Sequence, residues 1–158
     1  MKPKNKTSIN DIRDDLSFLK RYKGCEVVVF GSYANKNSDM RSDIDVAVIT
    51  RERDRKRCME VWNEILGVAP GKYDVKIFEL LPLHVKASVI EKYEVVFGDR
   101  LDISEYFYHF RKLWNVAKHR IDENQFQNAE EKIRALEGYK NSFHGMKNGK
   151  EVDIDENF

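Results

Sequence analysis

The stretch VVVFGSYANKNSDMRSDIDVAVI, Val27–Ile49, decides the fold. An apolar run closes on Gly31 and Ser32, a polar loop follows, and two aspartates one residue apart open a second apolar run. CEVVVF (Cys25–Phe30) is short, rich in β-branched residues and stopped by a glycine, so it reads as a buried strand. SDIDVAVIT (Ser42–Thr50) reads as a second strand. Residues two apart in an extended chain project to the same face, so Asp43 and Asp45 present their carboxylates together while Ile44 points into the core. Two anions on one face repel each other. A divalent cation between them relieves the repulsion, and hard carboxylate oxygens suit magnesium, which takes one or two carboxylates plus water and substrate phosphates.

Upstream of this stretch, Ser8 is placed to cap a helix in which Ile9, Ile12, Leu16 and Leu19 recur every three or four residues. Downstream, RERDRKRCMEVWNEIL carries Met59, Trp62, Ile65 and Leu66 at helical spacing and ends at Gly67 and Pro70. YDVKIFEL (Tyr73–Leu80) alternates and reads as a third strand. Pro82 suits the first turn of a short helix through Val85, Val89 and Ile90, and YEVVFGD is a fourth strand. Two helical stripes follow, Ile103–Ile121 and Phe126–Leu136, the second stopping before Gly138. The expected class is therefore α/β (α+β): a small mixed sheet flanked by helices. Residues 1–100 are expected to form the catalytic domain, 101–137 a helical extension packed on it, and the polar, aperiodic segment 138–158 a flexible tail.

Asp74 stands at the start of the third strand. If that strand lies beside the second, Asp74 completes a carboxylate cluster able to hold two cations, which activate an attacking oxygen and stabilise a leaving phosphate. Gly31 lets a phosphate approach the backbone closely, and the amides of the following turn together with the Ser32 hydroxyl can hold phosphate oxygens. No G-x-x-x-x-G-K-[ST] sequence occurs, so the turn is not a P-loop.

GSYANKNSDMRSDIDVAVI resembles the signature of the DNA polymerase β-type nucleotidyltransferase superfamily, in which Gly-Ser on a strand-to-helix turn is followed about ten residues later by Asp-x-Asp. Length and layout most resemble the minimal nucleotidyltransferases, including the antitoxins of that group. The resemblance implies a polymerase β palm-like fold with a C-terminal helical extension. It implies that Gly31 and Ser32 contact a triphosphate, that Asp43 and Asp45 bind two magnesium ions, and that Asp74 is the third metal ligand and helps deprotonate the attacking hydroxyl. The chain departs from many minimal members after Ala34, where Asn35 and Lys36 replace Arg-Gly. Lys36 or Arg41 could supply the lost positive charge at the phosphates.

Composition narrows the alternatives. The 158 residues carry 28 Lys plus Arg against 27 Asp plus Glu, so the chain does not coat nucleic acid by bulk charge and any basic site is local. Specific DNA binding is not expected, since only one helix fits before the sheet. Two cysteines, Cys25 and Cys58, are too few for a disulfide framework. No apolar stretch is long enough to span a membrane, and MKPKNKTSIN lacks the apolar segment of a secretory signal, so a cytoplasmic protein is expected. The resulting expectation is a magnesium-dependent enzyme that transfers a nucleoside monophosphate, AMP from ATP, to a protein or other acceptor. By the same resemblance its partner is a HEPN-type toxin on a separate chain, or a second copy of this one. The contrasting expectation is a non-catalytic binding module that keeps the fold and docks through its C-terminal helices.

Overall fold

The computed structural model describes residues 6–35 and 43–147. These fall into two units, Met1–Trp114 and Asn115–Phe158. In the first, β1 (Glu26–Phe30), β2 (Ile44–Ile49), β3 (Tyr73–Ile77) and β4 (Tyr93–Phe97) make one sheet in the order β3-β2-β1-β4. β1 is antiparallel to both β2 and β4, whereas β2 and β3 are parallel. A parallel pair needs a crossover, and α2 (Arg55–Leu66) supplies it. The small mixed sheet flanked by helices expected from the sequence is observed.

Each face of the sheet has its own core. On one, Val27, Val29, Ile44, Val46, Val48, Val75 and Ile77 pack with Ile12 of α1 (Ile9–Asp15) and with Cys58 and Ile65 of α2. On the other, Val28, Phe30, Ala47 and Ile49 meet Phe78, Val89 and Ile90 of α3 (Leu83–Glu91), and Ile103 and Phe107 of α4 (Arg100–Lys147). Because both faces of β1 and β2 are covered, these strands read as continuous apolar runs, which is why the aspartates stand out in the sequence.

Several boundaries differ from the sequence reading for local reasons. The first helix ends at Asp15, and Ser17–Arg21 tightens into a 3-10 turn that still delivers Leu16 and Leu19 to the core. Its N-terminus is closed by a capping box, Ser8 with Asp11. The second helix begins at Arg55 instead of Arg51, because Asp54 caps it by accepting from the Lys56 amide. β3 stops at Ile77, since Phe78–Leu80 turns so that the Glu79 carboxylate receives the Thr50 and Arg51 amides at 3.1 and 2.7 Å. Pro82 stands at the N-cap of α3, not within its first turn. Ser42, at the expected start of the second strand, lies outside the described residues.

The two C-terminal helices expected from the sequence are one, α4, which runs to Lys147. No Pro or Gly separates the two apolar stripes, and a single internal glycine costs only about 1 kcal/mol, which the Ala, Glu, Lys, Leu and Arg around Gly138 offset. Residues 138–147 of the expected tail are therefore helical, while 148–158 lie outside the described residues. In the second unit, His119 with Glu123 and Arg134 with Glu130 form i,i+4 pairs, and Val116, Ile121 and Ile133 are exposed. Among the described residues no helix is long and apolar enough to cross a membrane.

Candidate active site

The parallel ladder sets Asp45 of β2 directly against Asp74 of β3. Their side chains share the sheet face of Ala47, because the neighbours Ile44, Val46, Tyr73 and Val75 are spent on the opposite core. The adjacency that the sequence left open is therefore present. Asp43 precedes β2 and is exposed. Burial pushes the Asp45 carboxyl above its usual range, and the negative charges of Asp74 and then Asp43 push it the same way, against the pull of Lys76. Two carboxylates facing each other across a ladder destabilise a sheet. A fold that keeps them has a use for the charge.

Gly31 ends β1 beside this pair. Its φ of +66° is left-handed, and a Cβ built there would collide with Asp45 Oδ2. Glycine thus satisfies two demands at once, the turn and the close approach of a carboxylate. Beyond it the chain makes one tight turn, with the Asn35 amide donating to the Gly31 carbonyl at 3.1 Å, and Ser32 is half-buried within that turn. The turn is anchored by Tyr33, whose hydroxyl donates to the Thr7 carbonyl at 3.1 Å and whose ring packs on the core. Lys36 and Arg41 lie outside the described residues.

Asp43, Asp45 and Asp74 match magnesium in chemistry, being three hard oxygen donors whose negative charges act against one another at Asp45. The space beside Asp45 depends on residue 31 having no side chain. Their side chains are not gathered at ligand spacing, however: among the described residues no three His, Cys, Asp or Glu side chains form such a group. One reason is visible. Asp74 Oδ2 is taken by Lys76 Nζ at 3.4 Å, so its carboxylate must leave that partner to join a shared cation.

Lys76 is the residue that the sequence reading missed. It follows Asp74 by two positions in β3 and so shares its face, the same spacing argument that joined Asp43 to Asp45. Other candidates fall elsewhere. Arg51, read as part of a charged helix face, lies outside α2; it grips Glu26 through two guanidinium nitrogens at 3.1–3.2 Å and covers the Tyr106 ring at the far end of β2. Cys25 and Cys58 are free thiols, partly buried and buried. His109 meets Phe110 edge to face and His119 pairs with Glu123, consistent with packing and surface roles.

A model of the family described as "Polymerase beta, Nucleotidyltransferase" matches residues 16–102, which contain β1 to β4 and Asp43, Asp45 and Asp74. Two proteins of Methanocaldococcus jannaschii are similar. One, named "Putative protein adenylyltransferase MJ1547", is 44% identical over 107 residues, 68% of this chain and 83% of its own length. The other, named "Putative protein adenylyltransferase MJ0141", is 29% identical over 87 residues, 54% of this chain and 88% of its own. Among solved structures, a chain from a toxin-antitoxin crystallised with AMP-PNP superposes with a TM-score of 0.51 at 19% identity, over 72% of this chain and 98% of that one. At that identity the likeness speaks for the fold.

Proposed function

The chain belongs to the polymerase beta nucleotidyltransferase family and is a nucleotidyltransferase, and from that premise we propose that it transfers AMP from ATP to a hydroxyl of a protein in a magnesium-dependent reaction. The observation that carries this reading is the placement of Asp45 opposite Asp74 with Gly31 against the Asp45 carboxylate. The choice of AMP and of a protein acceptor rests on the name of the relative with 44% identity. A separate HEPN-type protein, the partner that the sequence resemblance implies, is the first acceptor to try, and a chain of a toxin-antitoxin shares the fold. A protein partner also suits the exposed apolar residues Val116 and Ile121 on α4.

In this reading Asp43, Asp45 and Asp74 would hold two magnesium ions. Magnesium, when bound, neutralises phosphate charge and makes the attacking hydroxyl more acidic. Gly31 leaves the backbone open to the triphosphate, and Ser32 with the amides of its turn takes phosphate oxygens. Lys36 adds positive charge from the loop. Asp74 accepts the proton of the acceptor hydroxyl as its oxygen bonds to the α-phosphorus, and the bond to the bridging oxygen breaks to release pyrophosphate. Positioning and charge complementarity supply most of the rate.

Calorimetric titration with ATP, with and without magnesium, tests the site in the wild type and in the Asp43→Ala, Asp45→Ala double variant. Magnesium-dependent binding that is lost in the variant supports the reading. A folded wild type that binds none of the four nucleoside triphosphates overturns it.

A further inference from the structure

Charge around the candidate site is distributed unevenly. Acidic groups elsewhere in the fold have cations of their own: Asp15 is held by Lys72 at 2.7 Å and Glu26 by Arg51 at 3.1 Å. Among the described residues, the Asp43, Asp45 and Asp74 set has one ion-paired cation, Lys76. Its Nζ is 3.4 Å from Asp74 Oδ2, and Asp74 faces Asp45 across the ladder. The register explains how one ammonium serves two strands. Lys76 pairs with Ala47 and Asp74 with Asp45, so the residue facing the lysine across the ladder is an alanine, which has no bulk to hold its arm off the carboxylates.

Resting on the site assignment above, we propose that Lys76 is an internal stand-in for the divalent cation: its ammonium balances Asp74 and Asp45 until the metal-bound nucleotide enters, then swings to the triphosphate. The chemistry favours such an exchange. An ammonium is a compact single charge on a flexible four-carbon stem with three donors, so it competes with a divalent ion for carboxylate oxygens but loses to it. Once released, the same arm stands on the site's β3 side, opposite Gly31 and Ser32 on its β1 side, because β2 lies between the two strands. A triphosphate held at the turn and at the carboxylates thus meets positive charge on the flank where the turn offers none. The side chains of Lys76 and Asp74 are 40% and 44% exposed, so the arm has room to move. Lys76 is in this sense a positioning residue before the metal arrives and a binding residue afterwards.

Opposite signs in two titrations on the full chain test this. Manganese serves as the probe without nucleotide, read as loss of the free-ion paramagnetic resonance signal. ATP is then titrated calorimetrically at saturating magnesium. Lys76→Met is expected to bind manganese about fivefold to tenfold more tightly, because the competing charge is gone, and ATP weaker by a similar factor, because a phosphate partner is gone. Lys76→Arg, which keeps the charge, is expected to stay within about twofold of wild type in both. A purely structural lysine moves both affinities in one direction or neither, and either result overturns the proposal, provided the variant's melting curve matches wild type. Asp45→Ala separates the two layers of the reasoning. If manganese binding survives it, the site assignment falls and the role of Lys76 with it; if binding is lost there but unchanged in Lys76→Met, only the role of Lys76 falls.

Discussion

Replacing Gly31 by alanine should damage the protein in two separable ways. The residue holds φ at +66°, where a Cβ costs about 1 to 2 kcal/mol. That methyl also runs into Asp45 Oδ2, which can escape only by turning its carboxylate off its rotamer, at a further cost of about 0.5 to 1.5 kcal/mol. Gly24 supplies the control: its φ is +76° and nothing lies within 4 Å of a built Cβ, so Gly24→Ala should show the backbone cost alone. For the unit Met1–Trp114, an unfolding entropy of roughly 2 cal/mol/K per residue makes 1 kcal/mol worth about 4 °C. Gly24→Ala should therefore lower Tm by about 4 to 8 °C and Gly31→Ala by about 6 to 14 °C. Only Gly31→Ala should also weaken magnesium-dependent ATP binding, by at least about tenfold, because a displaced carboxylate misplaces the metal. Scanning calorimetry and isothermal titration on both variants decide the matter. If Gly31→Ala melts with Gly24→Ala and binds ATP within about threefold of wild type, the close approach of Gly31 to Asp45 has no functional role and the reasoning fails.

Three further outcomes follow from the charges. Asp45 has its carboxyl pKa raised by burial and by Asp74, so the folded state holds that proton more tightly and loses stability as pH rises from the ordinary carboxyl value through the raised one. Asp45→Asn should therefore stabilise the metal-free protein by about 0.5 to 1 kcal/mol at neutral pH, and the gain should vanish near about pH 3 in a denaturant series. Asp15 has the opposite sign: hydrogen bonds from Lys72 and then Tyr73 lower its pKa, so its contribution is present at neutral pH and lost as pH falls through the lowered value. Asp15→Asn should cost about 0.5 to 1 kcal/mol at pH 7 and nothing in strong acid, so the two variants' pH curves should slope in opposite directions. Arg51→Ala removes the grip on Glu26, a bond to the Asp102 carbonyl at 3.1 Å and the Tyr106 ring contact, for about 1 to 2 kcal/mol, while ATP binding stays within about twofold because Arg51 lies beyond the opposite end of β2 from Asp45. Arg51→Gly should lose less, since glycine relieves the left-handed φ of +57°.

The sequence by itself determined the strands and the side-chain parity along them. Alternation and β-branched runs are local signals, and a period of two places Asp45 with Ala47, and Asp74 with Lys76, on shared faces without reference to any other strand, whereas Asp43, expected to share the face of Asp45, precedes β2. The Gly-Ser turn and the Asp-x-Asp spacing were equally legible, and they were enough to identify the family. Helix ends were less so. The start at Arg55 depends on Asp54 capping an amide, and the continuation of α4 past Gly138 on the weakness of a glycine as a helix breaker, effects of about 1 kcal/mol that neighbouring residues outweigh. Only the tertiary structure decided which strands are neighbours. Strand pairing joins residues from 15 (Phe30 with Asp45) to 70 (Val27 with Phe97) positions apart, and the hydrophobic pattern fixes a strand's faces but not its partner. That pairing sets Asp45 against Asp74, brings Gly31 against the Asp45 carboxylate, and makes an ordinary lysine in β3 the counter-ion of the candidate metal site.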